Sequence, residues 1–155
     1  QAREVAALCR YRGGRRGYAT STRAGGYTAV PMWQHIRASD ESIAVIAQIE
    51  DPEALDEIEA IAAVEGIDSL FIGRGDLTAA FGNETPNPPE VRTAVEKICA
   101  AAKRANKPVS VYVGGRPEAE WLRDQGATAF IHNSDQGFLR QAAMKGLADL
   151  RDVLG

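Results

Sequence analysis

Apolar positions along the chain alternate between two spacings. Residues 43–49 (IAVIAQI), 67–72 (IDSLFI), 108–113 (PVSVYV) and 127–132 (ATAFIH) are short runs rich in β-branched and aromatic side chains, the pattern of strands. The run at 43–49 reads as a strand buried on both faces. Helical spacing follows each run, over about 53–64, 90–105, 117–125 and 135–152. In 90–105, Val91, Val95, Ile98 and Ala102 share one face. Asp51 is placed to cap the first of these helices, with Pro52 at its first position. Gly66 ends that helix, and Asn106 and Gly126 close the next two. Upstream, residues 2–10 read as the tail of an amphipathic helix and 33–40 as a short helix. Between them, residues 11–32 form a long loop rich in Gly and Arg, a length that points to function or mobility. Residues 73–89 read as a second loop, with one turn of helix near 77–80.

Strand followed by helix, four times over, implies a parallel sheet with right-handed crossovers. Four such units make half of a (β/α)8 TIM barrel, a fold that takes about 250 residues. The expectation is therefore an α/β chain that covers the C-terminal half of a barrel as one partial domain over residues 1–155. A free-standing, four-stranded doubly wound sheet is the alternative. Gln1 is not an initiator methionine, and the chain opens inside a helical pattern, so an upstream segment is expected.

Composition narrows the function. The 155 residues are 45% hydrophobic and 25% charged, which suits a globular core, and the net charge of −3 argues against a phosphate-neutralising nucleic-acid surface. No apolar run approaches the ~20 residues needed to span a membrane, and no signal peptide is visible. Cys9 and Cys99 have no metal-ligand spacing and read as buried free thiols of a reducing compartment, so a cytoplasmic protein is expected.

Two acidic residues carry the candidate chemistry. Glu50 and Asp76 each end an apolar run, and they lie 26 positions apart, about one strand–helix–strand repeat. On neighbouring parallel strands, roughly 4.8 Å apart, their carboxylates could share one hard cation at the edge where α/β folds bind ligands. Gln48 points to the same face as Glu50. On one reading Glu50 is a metal ligand and Gln48 orients a ligand oxygen or a bound water; on the other Glu50 is solvated or caps a helix. Asp76 lies in Gly73-Arg74-Gly75-Asp76-Leu77, where glycines let the backbone approach a ligand and the amides of Gly75 and Asp76 can form an anion nest. It either binds the metal or is the N-cap of the turn at Leu77. Carboxylate ligands that leave room for water suit Mg²⁺ or Mn²⁺, ions that polarise a keto acid. The Arg-Gly-Asp tripeptide follows a buried strand, which discounts it as an adhesion signal.

Arg10, Arg12, Arg15 and Arg16 could neutralise an anionic substrate but read more readily as a solvated or subunit-contact surface. His132 ends the fourth run and could face a barrel mouth, while His35 is the other histidine. Both GxGxxG and the P-loop pattern are absent.

At Gln48-Ile49-Glu50 and Gly73-Arg74-Gly75-Asp76-Leu77 the chain resembles the HpcH/HpaI aldolase and citrate lyase family of the phosphoenolpyruvate/pyruvate superfamily. The likeness extends through the loop from Tyr11 to Gly17 (YRGGRRG), the helix after Glu50 (PEALDEIEAIAAVEGID) and the stretch from Ser134 to Ala143 (SDQGFLRQAA). The resemblance implies a TIM barrel and a class II aldolase, in which a divalent metal binds pyruvate and the enzyme joins it to an aldehyde or runs the cleavage. It implies Glu50 and Asp76 as metal ligands, with Gln48 and the backbone at Gly75 and Asp76 contacting the pyruvyl group. It also implies a homo-oligomer. Members carry a catalytic His and an enolate-stabilising Arg on earlier strands that this chain lacks, so the catalytic residues are unknown here. Arg74 stands where aldolase members often have Pro. Two other functions remain open: a citrate-lyase-like or malyl-CoA-like lyase, and a non-catalytic pairing or binding module.

Overall fold

The computed structural model describes residues 1–85 and 87–154. Four parallel strands, β1 (Ile46–Ile49), β2 (Ser69–Ile72), β3 (Val109–Val113) and β4 (Ala129–His132), lie side by side in chain order. The order never reverses, so the sheet has no switch point of the doubly wound kind. It is the arrangement of a barrel segment.

Before the sheet come α1 (Ala2–Cys9), a long loop with one 3₁₀ turn, and α2 (Met32–Ser42). Strands β1 and β2 are joined through α3 (Pro52–Asp56) and α4 (Ile58–Ala62), and β2 and β3 through α5 (Arg74–Ala80) and α6 (Pro89–Arg104). Helix α7 (Arg116–Gln125) links β3 to β4, and α8 (Asp135–Leu154) follows β4.

The register sorts the side chains onto two faces. Ile49, Ile72 and Val111 stand in one row, and Leu70 and Val109 in another on the same face. All five are buried; α6 packs on β2 and α4 and presents Val91, Val95, Ile98 and Ala102, while α7 packs on β3. Full burial of each such side chain contributes about 1.5–3 kcal/mol. Leu70, with no exposed surface, sits at the centre of this layer. Leu70→Ala is expected to cost about 2–5 kcal/mol in urea unfolding of the complete protein, with m unchanged.

The opposite face is open. Ile46 and Tyr112 are about half exposed, and Gln48 and Ile131 lie on the surface. The expectation that β1 is buried on both faces is thus not met: its inward rows belong to the inner wall of the arc, which no described element covers. Residues 53–64 form two short helices and not one, because Glu57 leaves helical geometry (φ −102°, ψ 10°). Leu55, Ile58 and Ala62 all still reach the core. Asp51 holds the N-cap position without a side-chain capping bond. The single turn expected near 77–80 is a seven-residue helix that starts at Arg74. Gly126 does close α7, at φ +113°, and Asn106 follows the C-cap of α6 at φ +54°.

At the other end of the strands, the Asp68 carboxylate accepts from the Val45 amide (2.7 Å) and the Arg10 guanidinium (2.9 Å). Arg10 also donates to the carbonyls of Asp40 and Ile43, which fastens α1 and α2 to the sheet. Helix α8 has no buried residue among those described, and Phe138, Leu139, Leu147 and Leu150 stand exposed along it. Among the described residues no helix is long and apolar enough to cross a membrane.

Candidate functional site

The C-terminal ends of β1 and β2 meet at a point of unusually close backbone approach. The Gly73 amide donates to the Ile49 carbonyl (2.9 Å), carrying the ladder one step past the strands. A Cβ at Gly73 would lie 2.7 Å from Glu50 Cβ and 3.2 Å from Gln48 Nε2. Glycine is therefore required here by packing, and its absence of side chain lets Glu50 and Gln48 stand directly over the β2 end. The Gln48 amide donates to a Glu50 carboxylate oxygen. The N-cap of α3 is Asp51, so Glu50 is not that helix's cap.

Helix α5 begins immediately after Gly73. Its N-cap is Gly73, and Asp76 is the third residue inside the first turn, which removes the reading of Asp76 as an N-cap. A carboxylate in the first turn is favoured by the helix dipole. The first intrahelical donor is the Leu77 amide, bonded to the Gly73 carbonyl at 3.0 Å, so the Gly75 and Asp76 amides have no intrahelical acceptor. Gln48, Gly73, Arg74, Gly75, Asp76 and Tyr112 line a concavity of about 260 Å³ at this edge. Larger concavities lie beside α1 and α3–α4.

Among the described residues no cluster of three or more His, Cys, Asp or Glu could hold an ion. Glu50, with Gln48 bonded to it, follows β1, and Asp76 stands in the first turn of α5, so the residues available to a cation at this edge would be two carboxylates. That is too few to saturate a cation, but it suits a hard ion whose other positions go to water and a bidentate oxygen ligand.

Arg74 builds the other side of the site. Its guanidinium pairs with Glu118 (2.6 Å), donates to the Tyr112 carbonyl (2.8 Å) and reaches the Asn87 side chain. Glu118 also accepts from the Gly114 amide (2.6 Å) and from Asn87 (3.0 Å). Hydrogen bonding from Arg74, above all, holds the Glu118 carboxyl at about 2, against the desolvation that opposes it. A depressed carboxyl pKa stabilises the fold above the unfolded value of 4.5 and ceases to do so as the pH falls toward 2. Acid denaturation of the complete protein between these pH values should accordingly be shallower in Glu118→Gln than in wild type. The network joins residues 44 positions apart in sequence, and no local pattern signals it.

The remaining candidates are engaged elsewhere. Arg12 binds Asp40, Arg15 reaches Glu4, and Arg16 lies over the Tyr11 ring at 4.6 Å, so with Arg10 the cluster braces the loop from 11 to 17. The Asp40 carboxyl lies below its usual range because the Tyr11 and Arg12 amides donate to it. His35 is buried between Tyr11 and Tyr18. His132 is in register with Val113 on the helix side of the sheet, where Nδ1 meets the Val113 carbonyl (3.0 Å) and the ring packs on Phe138. It does not face the inner wall. Both thiols are free; Cys99 is buried, which pushes its pKa up to about 11, and Cys9 is only half-buried.

Comparison with known proteins gives a consistent picture. The sequence model of the HpcH/HpaI aldolase/citrate lyase family matches residues 1–142. The chain is 37% identical over 151 residues to a 5-keto-4-deoxy-D-glucarate aldolase of Klebsiella pneumoniae, covering 96% of this chain and 58% of that protein. A crystal structure of a HpcH/HpaI aldolase/citrate lyase family protein from Burkholderia cenocepacia superposes with a TM-score of 0.86 at 30% identity, over 97% of this chain and 60% of that one. A HpcH/HpaI aldolase from Desulfitobacterium hafniense does so with 0.82 at 26% identity, over 96% and 58%. The chain thus spans a little over half the length of these relatives.

Proposed function

The chain belongs to the HpcH/HpaI aldolase/citrate lyase family, and we propose that, as a partial barrel domain over residues 1–155, it supplies the metal- and pyruvate-binding part of a class II aldolase. The reaction is the cleavage of a 4-hydroxy-2-oxo acid to pyruvate and an aldehyde, or its reversal. The observation that carries this reading is the placement of Glu50 directly after β1, packed against Gly73, and of Asp76 in the first turn of the helix that Gly73 caps.

In this reading Glu50 and Asp76 hold Mg²⁺ or Mn²⁺. The ion would supply Lewis-acid polarisation of the 2-oxo group. Gln48, bonded to Glu50, orients that carboxylate and contacts the pyruvyl oxygen. The Gly75 and Asp76 amides, free of intrahelical acceptors, receive the substrate carboxylate. The two free thiols fit a cytoplasmic enzyme. The exposed apolar residues of α8 fit a homo-oligomer in which another copy covers them.

The complete protein with Mg²⁺ or Mn²⁺ should release pyruvate from at least one member of a panel of 4-hydroxy-2-oxo acids, followed by a lactate dehydrogenase-coupled assay. No release from any member, with cleavage of a coenzyme A thioester in its place, would move the protein to the citrate-lyase-like or malyl-CoA-like reaction. No turnover of either kind would favour a binding module.

A further inference from the structure

We propose that Arg74 is a positioning residue, which locks the turn carrying Gly75 and Asp76 by tying the α5–α6 connection, the first turn of α7 and β3 to one guanidinium. This rests on the reading that Gly75 and Asp76 contact metal and substrate.

Helix α5 needs such a lock. It has seven residues, begins at Arg74, and its N-cap glycine offers no side-chain bond. Helices this short are marginal without outside support. Arg74 supplies it from the first helical position. One nitrogen, Nη1, meets both Asn87 in the α5–α6 connection and Glu118 in the first turn of α7, and the other, Nη2, meets the carbonyl of Tyr112 near the end of β3. Glu118 passes the constraint on to the Gly114 amide in the β3–α7 connection. The Arg74 side chain is 11% exposed, and its Nε is buried with no acceptor among the described residues. Burying an unpaired donor is costly, and here it accompanies a fork that satisfies three acceptors at once. A lysine ammonium cannot reproduce that planar geometry. Arg74 lines both the concavity at Asp76 and a neighbouring one of about 370 Å³ that Thr78, Asn87 and Glu118 also line.

The test compares wild type, Arg74→Lys, Arg74→Ala, Glu118→Gln and the Arg74→Ala/Glu118→Gln double variant in the complete protein. It reads steady-state kinetics with the best 4-hydroxy-2-oxo acid, and hydrogen exchange of the α5 amides. If Arg74 and Glu118 act as a unit, Arg74→Ala should raise KM about tenfold with a smaller change in kcat, and the double variant should be no worse. Exchange of the Leu77 to Phe81 amides should rise about tenfold in the same variants, with Arg74→Lys between. Unchanged exchange and KM, or losses that add in the double variant, would overturn the proposal. Faster exchange with unchanged KM would also overturn it, leaving Arg74 a purely structural residue. A wild type without turnover would sink the aldolase reading alone, and the lock would then be decided by exchange together with Mn²⁺ affinity, which Arg74→Ala should weaken about tenfold and a purely structural role would leave unchanged.

Discussion

Replacing Asp76 with alanine in the complete protein should lower kcat/KM for 2-oxo acid cleavage by about a thousandfold or more, on the order of 4 kcal/mol of transition-state stabilisation. Glu50→Ala should do the same. If both carboxylates hold one ion, the double variant should lose no more than either single one, because the first substitution already removes the cation. A different result follows if Asp76 serves only the dipole of α5, whose first turn it occupies. The change would then cost about 0.3–1 kcal/mol of stability and leave turnover intact. Measuring urea midpoints beside kinetics separates the two, since the proposed role puts the loss in activity and not in stability.

Gly73→Ala should produce the second large effect. The new methyl would sit 2.7 Å from Glu50 Cβ and 3.3 Å from Glu50 Cα. Both atoms belong to the neighbouring chain segment and have no flexible tail to swing away. Strain of this kind costs about 1–3 kcal/mol. Displacement of Glu50 by even part of an ångström should lower kcat/KM about a hundredfold. Gly75→Ala is the control. A Cβ there meets nothing within 4 Å, and the position lies in the first turn of α5. Its stability should be unchanged or slightly raised, so any loss of substrate affinity would report the approach of a ligand to that backbone.

Much of the architecture was legible because local signals agreed. The four apolar runs are strands, the helices between them form where the spacing predicts, and Gly126 ends α7 in the left-handed conformation that glycine favours. The misses share a cause. Burial of β1 on both faces, the continuity of 53–64 and the extent of α5 all depend on what packs against them, which one-dimensional periodicity does not contain. Ile46 is apolar and exposed because the inner wall of the arc is open. Helix α5 starts three residues early because the Arg74 guanidinium reaches Glu118 and Tyr112, partners far away in sequence. His132 faces the helices because strand register, set by pairing with β3, decides its side. Glu50 does follow β1 directly, as its place after an apolar run implies, whereas Asp76 lies inside α5 and not at the end of β2. The closeness forced at Gly73 arises from the pairing of β1 with β2, which no local pattern carries.

Titration calorimetry of the complete protein with Mn²⁺ in the presence of pyruvate tests the central claim most directly. Wild type should bind one Mn²⁺ per chain, and Glu50→Ala and Asp76→Ala should each abolish that binding while keeping the wild-type fold by circular dichroism. Unchanged Mn²⁺ binding in both variants would contradict the account, and would leave the two carboxylates as surface groups after β1 and in α5.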